Sequence, residues 1–306
     1  MRRRETAALS ERTVARILED QFPALGIVQA SAFGEGSDSS AFEVNRRWIF
    51  RFPKRAEVER QLLVEMDAVR MLRPRLPLPV PAYEFRGRPS THFRWHFGGY
   101  EKLSGEPAIR IDVRAVRFTS VARAMGRFLS KLHATSSAEA ARLSVPRQSV
   151  GSAIDDARTE ALGNLRRLST LVDVPVDRLY EQLKDRPRVP SRSRSGLAVV
   201  HNDLGAEHIL LHPRTGKVTG IIDWGDIAIG DPAVDFSGLF HWAGEGFVHA
   251  VLRHYSGLAD AALVSRARYL AACKGVNDIA FGHDMKQPEY IAAGLRGLQL
   301  TIDRAS

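Results

Sequence analysis

A chain of 306 residues, 44% hydrophobic and 26% charged, is long enough to bury two cores and is neither a disordered nor a fibrous polymer. No run of about 18 apolar residues occurs, so no membrane-spanning helix is expected. The formal net charge of +9 would suit a nucleic-acid partner, but the arginines are scattered, with small clusters at Arg2–Arg4, Arg73–Arg75 and Arg186–Arg194, and no nucleic-acid motif accompanies them.

The chain opens M-R-R-R-E-T without the apolar stretch of a secretory leader behind it, so a cytoplasmic location is expected. From Glu5 to Phe22 the apolar spacing at Val14, Ile17 and Leu18, with Ser10 as cap, predicts an amphipathic helix. Ala32 to Ser40 reads A-F-G-E-G-S-D-S-S and precedes strand-like Ala41–Val44. Small residues between two strands let backbone amides approach a phosphate, which makes Gly34, Gly36, Ser37, Asp38 and Ser39 candidate phosphate contacts; a plain hairpin fits the same residues. In the next strand, Arg47 to Lys54, alternation puts Ile49 and Arg51 on one face and Trp48, Phe50 and Phe52 on the other.

A helix is predicted from Glu57 to Leu72, with Leu62, Leu63, Met66, Val69 and Leu72 at helical spacing. The proline-rich run Leu76–Pro81 breaks it and gives an extended connection. Phe93–Leu103 contains a strand. Helices follow over Val113–His133, Ser152–Ser169 and Val176–Lys184, then the polar stretch Arg186–Ser195, which reads as a mobile loop.

Val199 to Asp231 carries the chemistry. Two apolar β-type runs, Ile209–Leu211 and Val218–Ile222, flank a Pro213/Gly216 turn and read as a hairpin. Such a hairpin brings Asp203, on the entering loop, near Asp223, at the exit of the second strand, with His208 between them. Two carboxylates and an imidazole converging suit a proton acceptor beside a metal ion held through oxygen and nitrogen. The bland alternative is a buried hairpin with capping aspartates. Helices fill the chain beyond it, where Cys273, in the apolar run Y-L-A-A-C, reads as a packed core thiol.

H-N-D-x-x-x-x-H from His201, followed by I-D-W-G-D, resembles the aminoglycoside and macrolide phosphotransferases, antibiotic kinases of protein-kinase-like fold. The hinge run F-G-G-Y-E-K-L-S-G-E looks closest to the aminoglycoside 2″ type. The resemblance implies an α+β, bilobal architecture: a mostly antiparallel β N-terminal lobe (residues 1–101) that binds the nucleotide phosphates, and a predominantly helical C-terminal lobe (102–306) that carries the catalytic loop and receives the acceptor. It implies Asp203 as catalytic residue, and His208 and Asp223 as ligands of Mg2+. Arg51 stands where kinases carry a lysine and would grip the phosphates, with Glu65 as its helix partner; Lys54 competes for that role. Ile49 would lie beneath the base, with Tyr100 behind it and Glu101 and Leu103 offering backbone contacts.

The phosphoryl donor implied is GTP or ATP, the bulk of Tyr100 leaning toward GTP. The expected activity is transfer to a hydroxyl of an aminoglycoside, conferring resistance, with a macrolide or another small molecule as the alternative acceptor. Glu245, Asp278, Asp284 and Glu289 are the candidate contacts for acceptor amines. A monomer with no membrane or nucleic-acid partner is expected. Arg51 and His208, standing where relatives carry Lys and Asn, also leave open a nucleotide-binding protein without turnover.

Overall fold

The structure, a computed structural model, describes residues 9–36, 38–112, 116–168, 175–187 and 196–301. The chain divides into two compact units, Met1–Pro74 with Val80–Leu103, and Arg75–Pro79 with Ser104–Ser306.

The first unit is built on a five-stranded antiparallel sheet. Helix α1 (Glu11–Gln21) starts where the Ser10 hydroxyl accepts the Thr13 amide, and its Val14, Ile17 and Leu18 are buried. Strands β1 (Ala30–Glu35), β2 (Ser39–Val44) and β3 (Trp48–Pro53) follow, then helix α2 (Ala56–Leu72) and strands β4 (Tyr83–Gly87) and β5 (Phe97–Glu101). The spatial order is β1-β2-β3-β5-β4. Period-two alternation decides the two faces as expected. Trp48, Phe50 and Phe52 pack with Phe42, Val44, Phe93, Phe97 and the α1 stripe into one aromatic core. Each buried aromatic contributes about 2 kcal/mol by area. Arg51, opposite Ala41 and Gly98 in the ladder, emerges on the other face toward α2, whose Glu65 is fully buried.

The second unit holds two short ladders within a helical body. Strand β6 (Glu106–Pro107) precedes α3 (Phe118–His133), α4 (Ser137–Arg142), α5 (Val150–Leu168) and α6 (Val176–Lys184). Strands β7 (Ala198–Val200), β8 (Ile209–Leu211), β9 (Val218–Ile221) and β10 (Ala228–Gly230) come next, and then α7 (Ala233–Leu252), α8 (Leu263–Asp284) and α9 (Pro288–Thr301). The expected hairpin is β8–β9, extended by β6 on its other edge, while β10 pairs with β7. Gly244 sits at φ 79 inside α7, a left-handed kink that a side chain would strain.

The boundaries that differ most from expectation are two helix starts. Helix α1 begins at Glu11 because the Ser10 cap ends it there, residues 5–8 lying outside the described ones; α3 begins at Phe118, with Val113–Ala115 also outside them. Most of the Arg186–Ser195 loop lies outside them too.

Candidate active site

The loop from His201 to His208 is tied down at both ends. It enters from β7, which pairs with β10, and leaves into β8, which pairs with β9. Across its base the Ile222 amide donates to the His208 carbonyl at 3.0 Å, and His201 Nε2 donates to the Ile222 carbonyl at 3.0 Å. Burial lowers the His201 imidazole pKa, which keeps the ring neutral in that role. Beneath the loop, fully buried Asp235 accepts the His201 amide at 3.0 Å, the Asn202 amide at 2.9 Å and His133 Nε2 at 2.9 Å. Asp235 therefore braces the loop. Asn202 (φ 71) and Asp223 (φ 62) both lie in the left-handed region, strain that this network holds in place.

The loop and the hairpin exit converge on one imidazole. His208 Nδ1 lies 2.7 Å from the Asp203 carbonyl and 3.5 Å from Asp203 Oδ2, and its Nε2 lies 3.8 Å from Asp223 Oδ2. The Asp203 and Asp223 side chains are 39% and 44% exposed, open enough to meet a substrate and a cation. Burial alone would lower the His208 pKa, but the carboxylates of Asp203, Asp223 and Glu207 override it and raise it to about 9. A cation entering here must therefore displace a proton from Nε2. Asp203, Glu207 and His208 also offer ligand atoms within 4.8 Å of one another, but the Glu207 carboxylate is engaged by Lys274 at 2.7 Å and Nδ1 by the Asp203 carbonyl. The donor set that fits a divalent ion is thus Nε2 of His208 with Asp223, one nitrogen and one oxygen.

In the first unit, Arg51 Nη1 bonds both oxygens of Glu65 at 2.9 Å, and the Tyr83 hydroxyl donates to Glu65 Oε1 at 2.7 Å. Burial raises the Tyr83 pKa well above its usual value, so the phenol keeps its proton. Ile49 and Tyr100 are buried cross-strand partners, and Tyr100 meets Tyr83 edge-on at 5.1 Å. Glu101 is exposed and ion-paired with Arg47, so only its backbone remains for any contact inside; Leu103 ends the unit. In the small-residue turn the Gly36 amide donates to the Ser39 carbonyl at 3.1 Å. Gly34 belongs to β1, and Asp38 is ion-paired with Arg55. Ser37 lies outside the described residues. Lys54 Nζ donates to the Gly36 carbonyl at 2.7 Å, a bond to the turn itself.

Residues 29–269 match the model of a family described as a phosphotransferase enzyme family. The chain belongs to this family. Among curated proteins the phosphotransferase is similar to an uncharacterized protein, YcbJ, of Bacillus subtilis, 24% identical over 278 residues and 84% of each chain. It also resembles the viomycin phosphotransferase of Streptomyces vinaceus, 31% identical over 102 residues, 33% of this chain and 35% of that one.

Its fold matches the GDP complex of wild-type aminoglycoside 2′-phosphotransferase-IIIa with a TM-score of 0.75 at 24% identity, covering 96% of this chain and 98% of that one. A macrolide 2′-phosphotransferase of Brachybacterium faecium matches with a TM-score of 0.62 at 19% identity, over 96% and 99% of the two chains. An antiparallel sheet lobe and a helical lobe, the two parts of the kinase-like phosphotransferases it resembles, are therefore the fold of this enzyme.

Three side chains beside the candidate residues had no expectation attached. Tyr83 completes the Arg51–Glu65 group, and Glu207 and Lys274 stand beside Asp203. Glu207 was legible as an acid inside the loop; Lys274, 71 positions from Asp203 on α8, had no local signal. The acids expected to meet acceptor amines each have a cation already: Glu245 pairs with Arg268, Asp278 with Lys274 at 3.3 Å, Asp284 with Arg167 at 2.9 Å, and Glu289 with Arg110 at 3.5 Å.

Proposed function

We propose that the chain transfers the γ-phosphoryl group of GTP or ATP to a hydroxyl of an antibiotic, and that Asp203 accepts the hydroxyl proton. The reading is carried by one observation: Asp203 and Asp223 flank the same imidazole, at 3.5 and 3.8 Å, on a loop whose backbone is braced. Asp223 and Nε2 of His208 would hold Mg2+. Such an ion neutralises charge on the transferring phosphoryl. In the first unit, Arg51, set by Glu65 and Tyr83, would hold nucleotide phosphates, since a guanidinium can bridge two phosphate oxygens. The amides around Gly34, Gly36, Ser37, Asp38 and Ser39 would cover the phosphates, with Ile49 and Tyr100 beside the base and the Glu101 and Leu103 backbones at its edge. Phosphoryl transfer needs placement and charge neutralisation more than covalent help, so this inventory suffices.

An aminoglycoside acceptor is supported by the similarity to aminoglycoside phosphotransferases. A second reading, a macrolide or another acceptor with few amines, is favoured by the pairing of Glu245, Asp278, Asp284 and Glu289, because a polycation would have to compete with an internal cation at each. The test crosses GTP and ATP with kanamycin, viomycin and erythromycin and identifies products by mass spectrometry. Phosphorylated drug is expected with at least one pair, and Asp203→Asn should cut that rate by about 10²–10⁴-fold while nucleotide affinity stays within a few-fold. Nucleotide binding with no transfer to any acceptor would favour a protein that binds without turnover.

A further inference from the structure

A kinase loop that holds its proton acceptor with a carboxylate must fix the orientation of that carboxylate, because the terminal torsion of an aspartate is broad and two-fold. Backbone bonds position the Asp203 main chain, yet the side chain is 39% exposed and needs partners of its own. One partner is local: His208 Nδ1 faces Oδ2 at 3.5 Å. The loop from His201 to His208 contains no lysine or arginine that could face the other oxygen.

That cation comes from α8. Lys274 Nζ lies 3.6 Å from Asp203 Oδ1 and is anchored from behind by Glu207 at 2.7 Å and Asp278 at 3.3 Å. Both anchors are buried, at 7% and 9% side-chain exposure, so the ammonium has little freedom to leave. Burial alone would discharge it, but Asp278, Glu207 and Asp203 outweigh that and keep it protonated. A fold needing only a buried ion pair would be served by Lys274 and Glu207; the third carboxylate within reach is the one at the candidate reaction centre.

We infer that Lys274 is a positioning residue for phosphoryl transfer, holding the Asp203 carboxylate by Oδ1 so that it presents a fixed face to the acceptor hydroxyl. The hydroxyl proton passes to Asp203, and Lys274 keeps its own protons throughout.

The inference rests on Asp203 as proton acceptor, and the experiment separates the two. Turnover of GTP and ATP is measured with kanamycin, viomycin and erythromycin for wild type, Asp203→Asn, Lys274→Met, Lys274→Arg and the double variant Lys274→Met/Glu207→Gln, with a thermal melt of each. Lys274→Met should lower kcat about 10–100-fold with nucleotide KM within about three-fold, and Lys274→Arg should recover part of that loss. Lys274→Met also leaves Glu207 buried without its partner, so a lower melting temperature is expected. The double variant removes that penalty: its melt should return toward wild type while its kcat stays low. Recovery of kcat together with the melt would make Lys274 a structural residue and overturn the inference, as would an unaffected rate in Lys274→Met. A double variant that does not fold overturns it too, since the ammonium would then determine the fold. Retained turnover in Asp203→Asn would instead remove Asp203 as the base.

Discussion

At the residue scale, burial decides reactivity. Cys273 is 1% exposed and lies in α8 among Ala271, Ala272 and Val276; burial pushes its thiol pKa up to about 12. It carries no thiolate at neutral pH, so native protein should react with a thiol reagent far more slowly than denatured protein, which should release one equivalent. Fast labelling of the native chain would contradict the packing. Asp235 is the opposite case, a charged group buried on purpose. Replacing it by alanine strands two loop amides and His133, a cost of about 3 kcal/mol or more in unfolding free energy. Chemical denaturation of Asp235→Ala checks this, and a change below about 1 kcal/mol would mean that water replaces the carboxylate.

At the element scale, the site depends on how closely helix α7 approaches the loop. A Cβ on Gly238 would stand 1.8 Å from the Leu204 carbonyl oxygen, and Leu204 adjoins Asp203. Gly238→Ala must therefore push the loop, costing about 1–3 kcal/mol of stability and lowering kcat more than KM. Steady-state rates beside a thermal melt check both parts. The same logic holds in the sheet, where a Cβ on Gly99 would meet the Phe50 ring at 2.4 Å, but there only stability should fall. Helix α8 works differently: its Lys274 faces the loop as a charge, while its Asp278 and Asp284 are occupied by cations.

At the scale of the whole molecule, each unit brings one charged device: Arg51 with Glu65 and Tyr83 in the first, Asp223 with His208 in the second. Under the proposed function, stabilisation by GTP or ATP should require a divalent ion. A melt with nucleotide at about 100 times its Kd should show about 2.7 kcal/mol of added stability with Mg2+, falling when the ion is chelated. Arg51→Ala and Asp223→Ala should each weaken it. With His208 Nε2 as a ligand, as proposed, Mn2+ should act at lower concentration than Mg2+. Equal shifts with and without metal would remove His208 and Asp223 as ligands. None of the helices in the described residues is long and apolar enough to cross a membrane.

Local patterns in the chain determined more of this protein than its site. Alternation in W-I-F-R-F-P assigned the faces of β3, the Pro213/Gly216 turn assigned the hairpin, and H-N-D-x-x-x-x-H with I-D-W-G-D brought Asp203, His208 and Asp223 to one place, because all are consequences of periodicity and short-range chain reversal. Only the tertiary structure decided what surrounds them. Tyr83 reaches Glu65 across 18 residues, Lys274 reaches Asp203 across 71, and Arg167 takes Asp284 across 117. Such pairings depend on how helices and strands pack, and an ion pair between distant positions leaves no period in the sequence.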